Sequence, residues 1–205
     1  MARRVEQSEL VIASHNNGKI REIGDLLRAL SINVTSARAL GLPEPEETGA
    51  TFSENAALKA RASAAGSGLP ALADDSGFSV AALDGAPGIH AGRFAERDNG
   101  KRDFEWAMEQ LHNATKDAGN DVAWFTCALA LAWPDGHTEV FEGRVTGTLI
   151  WPPRGKTGFG YDPIFVPEGN TETFGEMSPV AKHAISHRAI AFRKMIEACF
   201  VAANG

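Results

Sequence analysis

An apolar run that ends on two adjacent carboxylates, Leu69-Pro-Ala-Leu-Ala-Asp-Asp-Ser-Gly77, is the strongest constraint on how this chain folds. The run has the length of a buried strand, and Ser76-Gly77 is expected to break it. Asp74 and Asp75 are therefore expected at the carboxyl end of a sheet strand, where open α/β sheets gather their ligands. Neighbouring carboxylates raise each other's pKa unless a cation or donor intervenes. Bound Mg2+ would intervene and would also bring in phosphates. The plain alternative is a solvated Asp-Asp turn.

The rest of the chain is consistent with a mixed-sheet α/β fold. Leu10–Ser14 reads as a strand, Asn16-Asn17-Gly18 as a turn, and Lys19–Leu30 as a helix with Ile20, Ile23, Leu27 and Leu30 on one face. Ile32–Ser36 is a second short strand. Thr51-Phe-Ser-Glu54 has the form of a capping box and opens a helix expected to end near Gly66. Arg102–His112 is a third helix, with Phe104, Met108 and Leu111 facing inward. Val122–Trp133 and Thr138–Ile150 flank Pro134-Asp-Gly136 and read as an antiparallel hairpin. Gly85–Gly88 and the stretch after Gly158 are loops, the latter running into a short strand that ends at Val166. Ser178-Pro179 supplies an N-cap and first helical residue, and a last helix is expected over Ser186–Val201. With 205 residues, 43% of them hydrophobic, one domain over residues 1–205 is expected, its hairpin half forming a second lobe.

A formal net charge of −6 argues against a general nucleic-acid binder, which would carry a basic stripe. The two cysteines, Cys127 and Cys199, lie far apart, which fits a reducing, cytoplasmic setting better than a disulfide framework. No apolar run approaches membrane-spanning length, and the first residues lack the apolar core of a signal peptide.

Several segments could carry chemistry. Ser14-His-Asn-Asn-Gly-Lys19 joins a strand to a helix, and the free N–H groups of a helix start together with Lys19 would form a phosphate cradle; the alternative is an ordinary Asn-Gly turn. It is not a P-loop. The first glycine of that motif is replaced by Ala13 ahead of Gly18-Lys19 and by Ile150 ahead of Gly155-Lys156-Thr157. Lys59, two turns into the second helix, points either to that cradle or to water. Phe159-Gly-Tyr-Asp162 sets two aromatics in a glycine-rich loop, as a base-stacking platform or as core plugs. Lys182, Ser186, His187 and Arg188 gather at the start of the last helix. Cations there oppose the helix dipole, so a nearby acceptor is expected.

In order, S-H-N-N-G-K at 14–19, E-E-T-G-A-T-F-S-E-N-A at 46–56, L-K-A-R at 58–61, A-D-D-S-G at 73–77, G-A-P-G at 85–88, F-G-Y-D-P at 159–163 and A-I-S-H-R at 184–188 resemble the inosine triphosphate pyrophosphatase family. The resemblance implies an elongated mixed α/β fold, two lobes around a deep substrate cleft, and a homodimer. It also implies Mg2+-dependent cleavage of non-standard purine nucleoside triphosphates (ITP, dITP, XTP) between the α- and β-phosphates. Carried over residue by residue, Ser14, His15, Asn16, Asn17, Gly18, Lys19 and Lys59 hold phosphates. Asp75 is general base and metal ligand, Glu46 is the second metal ligand, and Ser76 touches the substrate. Phe159, Gly160, Tyr161, Asp162, Lys182, His187 and Arg188 hold base and sugar. The resemblance leaves open the choice between Glu46 and Glu47, the role of His15, and whether Asp74 orients Asp75 or binds water. Lys182, His187 and Arg188 donate to a 6-carbonyl but would oppose the 6-amino group of ATP. A pyrophosphatase of other base preference, and a nucleotide-binding regulatory module without hydrolysis, are the competing readings.

Overall fold

The computed structural model describes residues 2–30 and 32–200. Its described strands are β1 (Glu9–Ile12), β2 (Asn33–Ser36), β3 (Ala71–Val80), β4 (Pro87–Gly88), β5 (Val122–Ala132), β6 (Thr138–Leu149) and β7 (Phe165–Pro167). The helices are α1 (Asn17–Leu27), α2 (Phe52–Ser67), α3 (Ala91–Phe94), α4 (Phe104–Thr115), α5 (Pro179–Ile185) and α6 (His187–Cys199). One mixed sheet has the order β2-β1-β3-β5-β6-β7, with β4 paired to β3. β1 runs parallel to β2 and β3, while β3–β4 and β6–β7 are antiparallel. The mixed α/β class is as the sequence predicts. The expected end of the last helix at Val201 lies outside the described residues.

The chain divides into two compact units. The first comprises the chain up to Asp75, Cys127–Gly143, and the chain from Arg188 onward. Its strands alternate cleanly. Leu10, Ile12, Leu72, Leu129 and Leu131 face Ile23 and Leu27 of α1 and Phe192 and Met195 of α6. Val11, Ala13, Ala71, Ala73, Ala128 and Ala130 face α2. On α2, Ala56, Ala60 and Ala64 recur every fourth residue and are fully buried, so the helix approaches the sheet closely along a strip of small side chains. The second unit, Ser76–Thr126 and Arg144–His187, is built on aromatics. Phe78, Phe125, Phe165 and Phe174 pack with edge-on or tilted rings, and Tyr161 stacks on Phe78 at 5.2 Å.

Local chemistry fixes the helix starts. Asn16 caps α1 by accepting from the Gly18 and Lys19 N–H groups. Thr51 and Glu54 form both halves of the capping box on α2, and Gly68 ends that helix in the left-handed conformation. Asp103 caps α4 and Ser178 caps α5. Two expectations fail. Pro87 and Gly88 of the expected 85–88 loop pair with β3 as β4. Ser76-Gly77 does not break the strand, and β3 runs on to Val80, so Asp74 and Asp75 sit inside a ten-residue strand rather than at its end. The strand tolerates them because each carboxylate meets a buried cation.

Candidate active site

In the first unit, three charged groups converge from three elements. Lys59 on α2 donates from Nζ to Glu47 Oε1 and to Asp75 Oδ1, both at 2.7 Å. Gly49 and α2 together place Glu47. The Gly49 N–H donates to Asn55 Oδ1 at 2.8 Å, which holds the end of the 41–51 loop one turn ahead of Lys59. A Cβ on Gly49 would lie 2.7 Å from that same Oδ1, so the approach requires glycine. The other end of the loop meets the helix-start segment through His15, whose Nε2 lies 3.1 Å from the Leu42 carbonyl oxygen and whose Nδ1 lies 3.8 Å from Glu44. His15 thus ties the candidate phosphate loop to the acidic loop.

Asp74 points to the other side of β3. Its Oδ1 takes Lys19 Nζ at 2.6 Å, and its Oδ2 takes Arg188 Nε at 2.7 Å and the Cys127 thiol at 3.1 Å. Arg188 also reaches Glu22 through NH1. The cationic start of α6 therefore has its acceptors within the protein, in Asp74 and Glu22. Burial pushes the Asp74 carboxyl up, but Arg188 and then Lys19 outweigh it and hold the group well below the usual carboxylate range. Asp75 differs. Burial pushes it up and the Lys59 and Lys19 ammoniums pull it down, with burial prevailing, so its pKa is raised. Glu47 is lowered, because Lys59 overcomes the opposing effect of burial. Asp75 and Glu47 thus share one buried ammonium, which holds two like charges together beside the sheet. Asp75 Oδ2 is buried and accepts no hydrogen bond among the described residues.

In the second unit, Lys182 Nζ donates to Asp162 Oδ2 at 2.7 Å and lies over the Phe159 and Phe174 rings. Asp162 Oδ2 also accepts the Phe159 N–H at 2.7 Å. His187 is buried and stacks on Phe125 at 4.9 Å. The two aromatics of the 159–162 segment part ways. Tyr161 is core, with its hydroxyl donating to the Ala91 carbonyl at 2.8 Å, while Phe159 is half-buried. Gly160 bends the segment in the left-handed conformation. Ser76 is half-buried on β3, and Ser14 is buried with its hydroxyl accepting the Asn16 N–H. Asn17 accepts from Arg38.

Two of the expected site positions have particular surroundings. Glu47, not Glu46, is brought to Lys59 and Asp75; Glu46 is exposed. Exposure alternates along the loop, with Glu46 outward and Glu47 half-buried against Lys59. Arg188 is buried, with its Nε on Asp74 and a further guanidinium nitrogen on Glu22. Glu22 and Cys127 escaped the sequence reading because each sits in an apolar pattern, Glu22 beside Ile23 on α1 and Cys127 amid the β5 hydrophobics.

The Ham1 family model matches residues 10–198. A dITP/XTP pyrophosphatase of Rhodospirillum centenum is 59% identical over 201 residues, covering 97% of this chain and 98% of that protein. The protein of the same description from Agrobacterium fabrum is 52% identical, covering 98% and 100%. Among solved structures, a HAM1 protein from Coxiella burnetii superposes with a TM-score of 0.82 at 39% identity, covering 91% of this chain and 95% of that one. With a family match over nearly its whole length and relatives above half identical end to end, this chain is a member of the Ham1 family.

Proposed function

We propose that this protein hydrolyses non-standard purine nucleoside triphosphates such as dITP, XTP and ITP to the monophosphate and pyrophosphate. The observation that carries the reading is Asp75: a buried carboxylate with one oxygen on Lys59, which it shares with Glu47, and the other accepting no hydrogen bond among the described residues. The names of its relatives, dITP/XTP pyrophosphatases, support the substrate class.

The donor set fits Mg2+. Asp75 Oδ2 is a hard oxygen with no hydrogen bond among the described residues, and Glu47 adds a second carboxylate on the same lysine. Mg2+ asks for only one or two protein carboxylates beside phosphate oxygens and waters. Asp75 and Glu47 would hold it, and when bound it would neutralise phosphate charge and stabilise the charge that develops on pyrophosphate. Lys19 takes the phosphates beside the positive dipole end of α1, and Lys59 keeps Asp75 and Glu47 side by side despite their like charge. Asp75 accepts the proton of the attacking water, whose oxygen bonds to the α-phosphorus as the bond to the β-phosphate bridging oxygen breaks. Roles in base and sugar recognition for Phe159, Lys182 and His187 rest on the family resemblance. Lys182 and His187 are donors for a 6-carbonyl. A homodimer belongs to the same reading, and light scattering of the purified protein tests it.

Product analysis tests the reaction. Incubation with dITP, XTP, ITP and ATP at excess Mg2+ should yield monophosphate and pyrophosphate from the first three, with ATP poorly used. Release of orthophosphate with accumulation of the diphosphate would overturn the proposed cleavage site.

A further inference from the structure

Cys127 is fully buried on β5, and its Sγ lies 3.1 Å from Asp74 Oδ2. Packing alone does not call for cysteine there. Leu129 and Leu131 occupy the same face of β5, and an apolar side chain of similar size would fill the position. What cysteine adds is a donor. Burial pushes the thiol up first and Asp74 pushes it further, well above the ordinary range, so the group keeps its proton and its S–H is available to donate. The Asp74 carboxylate has two oxygens with separate duties. Oδ2 is fixed from behind by Arg188 Nε and the Cys127 thiol, and Oδ1 meets Lys19 Nζ at 2.6 Å. A second contact, from Lys19 Nζ to the Asp74 carbonyl oxygen at 3.3 Å, marks how closely the ammonium follows this residue.

We propose that Cys127 is a positioning residue for the phosphate site: by donating to Oδ2 it sets the rotation of the Asp74 carboxylate, and so the place of the Lys19 ammonium. The inference rests on the reading of Lys19 as a phosphate holder. It also gives Asp74 a role distinct from base or metal ligand, as the acceptor that aims Lys19.

The test is a double-mutant cycle between Cys127 and Lys19, read by the Kd for inorganic pyrophosphate, which needs no turnover, and by the KM for ITP. Cys127→Ala should weaken pyrophosphate binding and raise KM by about fivefold, as expected for loss of a hydrogen bond from a weak thiol donor. The loss should fall on KM rather than kcat. Cys127→Ser keeps a donor and should stay within about twofold of the wild-type protein. In a Lys19→Met background, Cys127→Ala should change pyrophosphate Kd by less than about twofold, because the group it positions is gone. A packing role gives the reverse order, with Ala tolerated and Ser the worse variant. That order, or a fivefold effect that persists without Lys19, would overturn the inference. Failure of the substrate reading is separate: wild-type protein would then release no pyrophosphate from ITP.

Discussion

Arg188 Nε donates to Asp74 Oδ2 at 2.7 Å while another of its nitrogens reaches Glu22, so one guanidinium at the start of α6 bridges two buried carboxylates from β3 and α1. Removing one partner of such a network strands the others, at about 3–5 kcal/mol. Arg188→Met should therefore lower the urea-unfolding free energy by about that amount. Arg188→Lys should recover only part of it, since a point charge cannot serve both carboxylates in the guanidinium's fixed fork. A fully stable Arg188→Met protein that loses ITP turnover while keeping its slow ATP turnover would instead place this side chain at the base edge.

Glu46 and Glu47 differ by one residue and by everything that surrounds them. Glu47 shares Lys59 with Asp75, and Glu46 is exposed. Glu47→Gln should raise the Mg2+ concentration for half-maximal activity by about tenfold or more, the order of effect expected when a charged interaction worth about 1.5–3 kcal/mol is lost. Glu46→Gln should shift it by less than about twofold, as for surface substitutions away from a site. Magnesium titrations of both variants decide the assignment, and a larger effect at Glu46 would return the ligand role to it.

The sequence carried the fold further than it carried the site. Periodicity placed α1 and α4, the Thr51–Glu54 capping box placed α2, and the Pro134–Gly136 turn marked a hairpin. These are local signals, written within a few residues. The end of β3 was misplaced because Ser76-Gly77 is a local breaker, whereas the cations that let the strand continue come from Lys19, Lys59 and Arg188, distant in sequence. The pairing of Arg188 with Glu22 spans 166 positions and leaves no local trace. Tyr161 and Phe159 look alike in the chain, and only the Phe78 ring and the Ala91 carbonyl assign Tyr161 to the core.

Asp75→Asn keeps the size of the side chain and removes its charge and its capacity to take a proton. Loss of a general base alone costs about 10²–10⁴-fold in turnover. The variant should release pyrophosphate at least about a hundredfold more slowly, while ITP still binds by calorimetry through Lys19 and the α1 start. Lys59 would remain paired with Glu47, so the fold should hold. A variant retaining more than about a tenth of wild-type turnover would remove Asp75 from proton transfer.

Gly158 is the hinge on which the second cluster turns. It adopts φ +77°, and a Cβ there would lie 2.1 Å from Asp162 Oδ2, the oxygen that accepts both Lys182 Nζ and the Phe159 N–H. Gly158→Ala therefore carries two costs. The left-handed conformation costs an L-residue about 1–2 kcal/mol. Displacing Asp162 also leaves the buried Lys182 ammonium short of its carboxylate, which adds about 2 kcal/mol or more. Gly169 separates the two costs, because it has the same φ of +77° with nothing within 4 Å of a built Cβ. Gly169→Ala should lose only the conformational part. Urea unfolding of the two variants should differ by about 2 kcal/mol, Gly158→Ala being the weaker, and its loss should shrink when Lys182→Met removes the charge that Asp162 serves. Equal losses at the two glycines would mean that the Asp162 carboxylate swings clear of the methyl group and that Lys182 does not depend on this rotamer.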